Sequence, residues 1–205
     1  MGKPPHLILA SASPRRRQIL ESLGVDFEIF VPEVEELMEG DPEAVVLENA
    51  RRKAHAGFAG APDGTAALGV DTEVVLGDRV LGKASDLSEA RERLEALSGR
   101  THTVLSGIVV LGPGRTGDAP VERSGVARSE VTFRHLDSDT LRAYLARGEW
   151  RDRAGAYAIQ GMGSMLIDRV DGDFSNVVGL PVRTLLALVP EFFDLASGAI
   201  ADANP

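Results

Sequence analysis

Short apolar stretches alternate with amphipathic segments along this chain, and their periods predict alternating strands and helices. Leu7–Ala10 and Ala66–Val70 are continuous apolar runs, which are typical of buried strands. Phe27–Val31 alternates apolar and polar positions, which indicates another strand. Helices are predicted where capping residues precede apolar positions at helical spacing: from Ser13 to about Leu23, from Asp41 to near Gly57, from Ser85 or Asp86 to Gly99, from Asp137 or Ser138 to Gly148, and after Gly179-Leu180-Pro181.

The remaining β-rich segments favour a mixed α/β sheet whose central strands are antiparallel. Further strands are predicted at 73–76, 101–111, 124–133 and 165–167, with a turn at Gly77-Asp78 and a hairpin loop from Gly112 to Pro120. There is no internal repeat, and no linker separates two units. We therefore expect one domain over residues 1–205, with an ordered core over about 6–190 and a frayed tail at 196–205.

Composition narrows the class of protein. The formal net charge is -9, so a nucleic acid polymer is an unfavourable partner, although a local cluster of cations could still bind a small anion. The absence of cysteine excludes a disulfide scaffold, a cysteine nucleophile and a thiolate zinc site. No apolar run approaches the length of a membrane span, and the first apolar run is too short for a signal peptide. We expect a cytoplasmic protein that does not bind membranes.

The segment Ser11-Ala12-Ser13-Pro14-Arg15-Arg16-Arg17 joins the first strand to the first helix. A helix start presents free N–H groups and partial positive charge, and arginines there oppose the helix dipole unless an anion neutralises them. The segment therefore predicts a phosphate-binding site. An ordinary capped helix with solvated arginines explains the same spacing equally well.

Other residues could carry chemistry, and each has a simpler structural explanation. Asp71 ends an apolar strand, where a carboxylate can hold a metal or activate water, or cap a turn. Lys83 follows a turn and could be solvated surface. The acidic stretch with Glu33, Glu35 and Glu36 could supply a metal ligand or form a solvated loop. Gln160 in Tyr-Ala-Ile-Gln-Gly could bind a base edge through its amide, or be a buried glutamine. The loop 172–181 could form a site wall, or only begin a helix.

Taken together, these segments resemble the Maf family of nucleoside triphosphate pyrophosphatases over roughly residues 6 to 190. The resemblance depends on six motifs in order: Ser11-x-Ser13-Pro14-Arg15-Arg16, Lys53-Ala54, Gly69-x-Asp71-Thr72, Gly82-Lys83, Leu97-Ser98-Gly99-Arg100-x-His102 and Gly172-Asp173-x-Ser175-Asn176-Val177-x-Gly179-Leu180-Pro181. It implies a two-lobed fold with an elongated, twisted mixed sheet, similar to the inosine triphosphatases. It also implies hydrolysis of a nucleoside triphosphate to the monophosphate and pyrophosphate with Mg²⁺ or Mn²⁺, in a homodimer.

The resemblance also implies residue roles. Asp71 matches the proton acceptor, with Glu33 and Asp71 as metal ligands. The substrate-binding positions are Ser11, Arg15, Arg16, Lys53, Thr72, Lys83 and Gln160. The Tyr-x-Ile-Gln-Gly segment resembles the branch that acts on dTTP and UTP. Because an aspartate is a weak base near neutral pH, we expect its contribution to lie largely in orienting water and metal.

Three positions depart from the family pattern: Ala84 replaces a usual proline, Glu73 replaces a usual apolar residue, and Arg17 extends the basic cluster. Two rival functions stay open at this point. One is a nucleotide-binding regulator of septum formation, which has less need of a general base. The other is the same chemistry on a purine or a modified nucleotide.

Overall fold

The computed structural model describes residues 6–114 and 119–193. The strands are β1 His6–Ala10, β2 Phe27–Phe30, β3 Thr65–Leu76, β4 Arg79–Val80, β5 Thr101–Gly112, β6 Val121–Phe133 and β7 Ile167–Asp171. The helices are α1 Pro14–Ser22, α2 Pro42–Phe58, α3 Leu87–Leu97, α4 Ser138–Arg147, α5 Phe174–Val178 and α6 Val182–Leu188. Short 3₁₀ helices span Gly161–Leu166 and Pro190–Phe192.

The strands form one seven-stranded sheet in the order β2-β1-β3-β5-β6-β7, with β4 paired to β3. β1 runs parallel to β2 and β3, whereas β3, β5, β6 and β7 pair antiparallel. The predicted mixed α/β sheet with an antiparallel centre is therefore confirmed. In the long β5–β6 pair, β5 is buried over most of its length, whereas β6 begins exposed and carries alternating buried positions only from Ala127 to Phe133.

The edge of β3 opposite β5 is open in its middle. β1 pairs with β3 only as far as Ala10 opposite Gly69, and β4 pairs with β3 only at Val75 and Leu76. The stretch between them, which contains Asp71 and Thr72, keeps β5 as its paired strand. Two apolar cores lie on either side of this gap: one includes Leu9, Leu20, Val70 and Leu180, and the other Val74, Leu94, Phe133 and Tyr144. These two cores form the two predicted lobes.

Helix α2 packs on the sheet at two glycines. A Cβ at Gly69 would lie 2.1 Å from the Ala50 carbonyl oxygen, and a Cβ at Gly107 would lie 2.2 Å from the Val46 carbonyl oxygen. Only a residue without a side chain allows the helix backbone to approach so closely. Asp71 pairs with Gly107 across β3 and β5, so the helix residues that follow this contact lie beside the open edge of β3.

Some predicted boundaries were wrong. The strand predicted at 165–167 begins at Ile167, because the glycines before it allow a 3₁₀ turn through Leu166. β6 begins at Val121 rather than 124, and the short helix α5 was not predicted. Leu87 is exposed, although its spacing placed it on the apolar face of α3. The tail at 196–205 and positions 115–118 of the predicted loop lie outside the described residues. Within the described part of the chain, no helix is long and apolar enough to cross a membrane.

Candidate active site

A cavity of about 540 Å³ lies at the open edge of β3, beyond the carboxyl end of β1. Its cationic lining residues are Arg15, Arg16, Lys53, Lys83, Arg151 and Arg153. Its carboxylates are Glu36, Asp71, Asp152 and Glu73. The cavity therefore carries an excess of cationic groups although the chain has a net charge of -9. A local field of this sign attracts a small anion.

Asp71 is buried and fixed by two side chains of α2. Lys53 Nζ donates to Asp71 Oδ1 at 2.6 Å, and Asn49 Nδ2 donates to Asp71 Oδ2 at 3.2 Å. Asn49 and Lys53 are four residues apart, so they lie on one face of the helix. The contact of α2 with Gly69 and Gly107 brings that face to Asp71. The carboxylate therefore has a defined orientation on the cavity wall.

The acidic segment before α2 contributes Glu36 to the cavity. Lys53 Nζ lies 2.6 Å from Glu36 Oε1 and so joins Glu36 to Asp71. Asn49 binds both the N–H and the carbonyl of Leu37, at 2.7 and 3.0 Å, which fixes the neighbouring backbone. Glu33, the predicted metal ligand, is exposed and is not among the residues that line the cavity. The structure thus brings Asp71 and Glu36 together, and not Glu33.

The basic helix start is built around Arg16. Its guanidinium donates to Ser11 Oγ at 3.0 Å, to Thr72 Oγ1 at 3.1 Å and to the Gly179 carbonyl at 2.8 Å. Burial lowers the pKa of Arg16 from its usual value, and the charges of Asp71 and Glu36 oppose this shift. Arg16 therefore ties α1 to β3 and retains free N–H groups for an anion.

The arginines at positions 15 and 17 differ in their surroundings. Arg15 is half-buried on the cavity wall, where its Nε donates to the Val178 carbonyl at 3.1 Å. Arg17 is exposed and pairs with Glu21 on its own helix at 3.0 Å. The predicted phosphate-binding segment is therefore brought to the cavity by its first two arginines. The third lies on the outer surface of the helix.

The loop 172–181 has both of the roles considered for it. Asp173 caps α5 by accepting from Ser175 N at 2.8 Å, and buried Asn176 donates to the Val104 carbonyl at 3.1 Å. The end of this helix supplies the carbonyl groups of Val178 and Gly179 that orient Arg15 and Arg16. The side chains of this motif therefore stabilise its local backbone conformation, and the motif also forms part of the cavity wall.

Gln160 and Lys83 lie on the same cavity, on the side of the second core. Both residues are exposed. The segment before Gln160 is anchored because Tyr157 Oη lies 2.8 Å from His102 Nε2 and Ala158 N donates to Tyr144 Oη at 3.0 Å. His102 is buried against Phe133, and burial lowers its pKa to about 4. This histidine is thus a neutral positioning group within the core.

Glu73 follows Asp71 on the same face of β3 and lines the cavity. Its Oε2 atom is buried and has no hydrogen-bond partner in the part of the chain that the structure describes. Burial, with the charges of Asp71 and Glu36, raises the pKa of Glu73 to about 7, while Lys53 and Lys83 oppose the shift. The departure from the family pattern at this position therefore places an additional titratable group in the site.

Sequence reasoning missed Asn49, and it named Glu36 only as one of three glutamates of the acidic stretch. Asn49 was detectable, because its four-residue spacing from Lys53 places both side chains on one helix face. Glu36 lies in a segment without regular secondary structure, so no periodicity distinguished it from Glu33. Its position depends on contacts with α2 that are distant in the sequence. Arg151 and Arg153 were likewise missed in an irregular loop.

The fold and the site define an α/β protein with a cation-lined cleft around a buried aspartate. The family model described as Maf-like protein matches residues 6–192. A dTTP/UTP pyrophosphatase of Deinococcus radiodurans is 44% identical over 90% of this chain and 92% of its own length. One of Moorella thermoacetica is 47% identical over 89% and 94%, and one of Thermococcus gammatolerans is 41% identical over 93% and 99%. The chain belongs to the Maf family, as the motifs predict.

A solved structure, the Ham1 protein of Staphylococcus aureus, is also similar, with a TM-score of 0.40 and 14% identity. The structural alignment covers 62% of this chain and 72% of the Ham1 chain. A likeness of this size adds nothing to the fold or function of the present chain.

Proposed function

We propose that this protein hydrolyses dTTP and UTP to the monophosphate and pyrophosphate. The observation that carries the proposal is the buried, doubly bonded Asp71 on the wall of a cavity with an excess of cations. The relatives named dTTP/UTP pyrophosphatase, which align with about nine-tenths of the chain, support the same reaction. A nucleotide-binding regulator would need the cations, but it would have less need of an oriented carboxylate.

The cations would hold the triphosphate along the start of α1. Arg15 and Arg16 lie on the side of the first core, and Lys83 on the side of the second. Guanidinium groups bind phosphate oxygens through planar, charge-assisted hydrogen bonds. We propose that Ser11 and Thr72 contribute indirectly, because their hydroxyls accept hydrogen bonds from Arg16 and fix its direction.

Asp71 would orient the attacking water and accept its proton. The oxygen of that water attacks the α-phosphorus, the bond from the α-phosphorus to the bridging oxygen breaks, and pyrophosphate leaves. Lys53 keeps the carboxylate in one position through the 2.6 Å contact. The cations stabilise the negative charge that develops on the leaving group.

A divalent cation fits the donor groups of this site only if the substrate completes its coordination. Within residues 6–114 and 119–193, no three histidine, cysteine or acidic side chains are arranged to hold a metal. Mg²⁺ is commonly held by one or two carboxylates together with phosphate oxygens and water. We propose Asp71 and Glu36 as the carboxylates, with Glu36 in the role predicted for Glu33. The metal would supply charge neutralisation to the phosphates.

Gln160 would select the base. An amide donates and accepts in one plane, which matches the edge of uracil or thymine. The side chain is exposed on the cavity wall, while its backbone is held through Tyr157 and Ala158. We further propose that the protein acts as a homodimer in the cytoplasm, where it removes nucleotides from the precursor pool. The lack of cysteine is compatible with a reducing compartment.

A panel of nucleoside triphosphates, assayed for pyrophosphate release with Mg²⁺ and with Mn²⁺, tests the proposal. We expect UTP and dTTP to be the best substrates and chelation of the metal to abolish turnover. Faster turnover of a purine nucleoside triphosphate than of UTP would contradict the proposed role of Gln160 in base selection. Tight nucleotide binding without pyrophosphate release would contradict the proposed pyrophosphatase activity. Light scattering of the purified protein tests the dimer.

A further inference from the structure

Arg153 is a half-buried cation on the cavity wall to which the proposed mechanism assigns no role of its own. Its Nε donates to the Glu149 carbonyl at 3.3 Å, which leaves both Nη groups for other partners. Within the parts of the chain that the structure describes, no carboxylate forms an ion pair with it, although most half-buried cations elsewhere in the chain have one. Burial lowers the pKa of Arg153 from its usual value.

The backbone holds Arg153 beside Lys83. Ala154 forms an isolated β-bridge with Lys83, and Gly155 N donates to the Leu81 carbonyl at 2.5 Å. Leu81 and Ala154 both pack on the second core, whereas Leu20 anchors α1 in the first. Arg153 therefore lies on the wall opposite Arg15 and Arg16.

We infer that Arg153 is a further substrate-binding residue, which contacts phosphate oxygens of the nucleotide from the wall opposite Arg15 and Arg16. This inference rests on the proposed function, because it takes the nucleoside triphosphate as the ligand. Partial removal of a guanidinium from water without an anion is unfavourable, and a phosphate group offsets that cost with charge-assisted hydrogen bonds.

The neighbouring arginine has a different environment. The guanidinium of Arg151 lies 4.7 Å from the centre of the Trp150 ring, so an aromatic face already stabilises its charge. Arg151 is also exposed, so water solvates its charge. Of the two arginines in this loop, Arg153 is therefore the one whose charge the protein leaves uncompensated, and the one that we assign to the substrate.

Isothermal titration calorimetry with α,β-imido-UTP and Mg²⁺ tests the inference on purified protein. Arg153→Gln removes the charge, and Arg153→Met removes it while keeping the aliphatic stem. Arg147→Gln is the matched control, since this arginine is exposed at the end of α4 and does not line the cavity. We expect either Arg153 variant to weaken binding about tenfold or more, and the control to stay within about twofold of wild type. Arg153→Lys should restore part of the affinity.

A phosphate contact also predicts that the dependence of affinity on salt is shallower in Arg153→Gln than in wild type, which a purely structural role would not change. Titrations of the Arg153 variants with inorganic pyrophosphate and with UMP show which phosphate groups Arg153 contacts. Weaker binding of pyrophosphate indicates the β- or γ-phosphate, and weaker binding of UMP indicates the α-phosphate. Folded Arg153→Gln or Arg153→Met that binds the analogue as tightly as Arg147→Gln would overturn the inference. If wild type binds the analogue through Arg153 but releases no pyrophosphate from UTP, the proposed function fails and this inference stands.

Discussion

Lys53 Nζ lies 2.6 Å from Asp71 Oδ1 and 2.6 Å from Glu36 Oε1, so one buried ammonium joins two carboxylates of the cavity. The three residues come from α2, from β3 and from the irregular segment before α2. A buried cation between two carboxylates offsets repulsion that would otherwise oppose folding. The same ammonium keeps Asp71 in the orientation that the proposed reaction needs.

Replacement of Lys53 by methionine should therefore destabilise the protein. Asp71 would remain buried without its cation, beside the exposed carboxylate of Glu36, and we expect the free energy of unfolding to fall by about 3 kcal/mol. Urea denaturation measures this change. Arg52→Met is the control, because Arg52 pairs with Glu48 at the surface, where an ion pair contributes about 0–1 kcal/mol. Equal losses in the two variants would contradict the importance of the buried cluster.

Asp71→Asn should lower the turnover of UTP about 100-fold or more, because the amide cannot accept the proton of the attacking water. Asparagine keeps the size of the side chain but removes the charge that pairs with Lys53. The melting temperature should therefore fall, though by less than in Lys53→Met, because Lys53 keeps Glu36 as a partner. Pyrophosphate release measures turnover, and Asp63→Asn, a change on an exposed turn, provides the control. Near-normal hydrolysis by Asp71→Asn would remove Asp71 from its proposed role.

The sequence predicted the elements and the sheet class because apolar periodicity and caps are local signals. Asp86 and Asp137 cap their helices as expected, each accepting from the backbone N–H three residues later. The cluster at Asp71 was only partly predictable, since Lys53 and Asp71 were identified through the family motifs. Glu36 was named only as one of three glutamates, and Arg153 was not named, because irregular segments have no period and the positions of their side chains depend on long-range contacts. Arg16 also has a more structural role than its motif suggests.

Gly69→Ala should reduce both stability and activity. The new Cβ would lie 2.1 Å from the Ala50 carbonyl oxygen and 2.6 Å from Ala54 N, so α2 must move away from the sheet. Such overpacking costs about 3 kcal/mol, and the movement would carry Lys53 away from Asp71. Gly112→Ala is the control, because its nearest contact is an ordinary 3.8 Å. Thermal melts and pyrophosphate release should both distinguish the two variants; identical melts would contradict the close packing.

Glu149→Gln should raise KM for UTP more than it lowers kcat. The Glu149 carboxylate accepts from the backbone N–H groups of Met162 and Gly163, both at 3.3 Å, and so anchors the segment that follows Gln160. An amide supplies only one acceptor atom, so one N–H loses its partner. We expect a several-fold rise in KM, which corresponds to the loss of about 1 kcal/mol of binding free energy, and weaker discrimination against purine nucleotides. Glu92→Gln, on the exposed face of α3, is the control. A fall in kcat at constant KM would count against this positioning role.

Two groups whose pKa values are shifted by burial should give opposite dependences of stability on pH. The pKa of Glu73 is raised from 4.5 to about 7, so the folded state binds more protons than the unfolded state between these values. Its contribution to stability therefore falls as pH rises from about 4.5 to 7. The pKa of His102 is lowered from 6.5 to about 4, so the unfolded state binds more protons in that range. Its contribution is lost as pH falls from about 6.5 to 4.

Each group contributes a slope of up to about 1.4 kcal/mol per pH unit to the free energy of unfolding. Because the two slopes have opposite signs, we expect the stability of the metal-free protein to depend only weakly on pH between about pH 5 and 6.5. Glu73→Gln leaves His102, so its stability should rise with pH over this range. His102→Gln leaves Glu73, so its stability should fall. Urea denaturation at several pH values, with a chelator present, measures both slopes. Parallel curves for the two variants would contradict the shift of at least one group. Added Mg²⁺ should reduce the slope of His102→Gln, because a cation in the cavity favours the ionised form of Glu73.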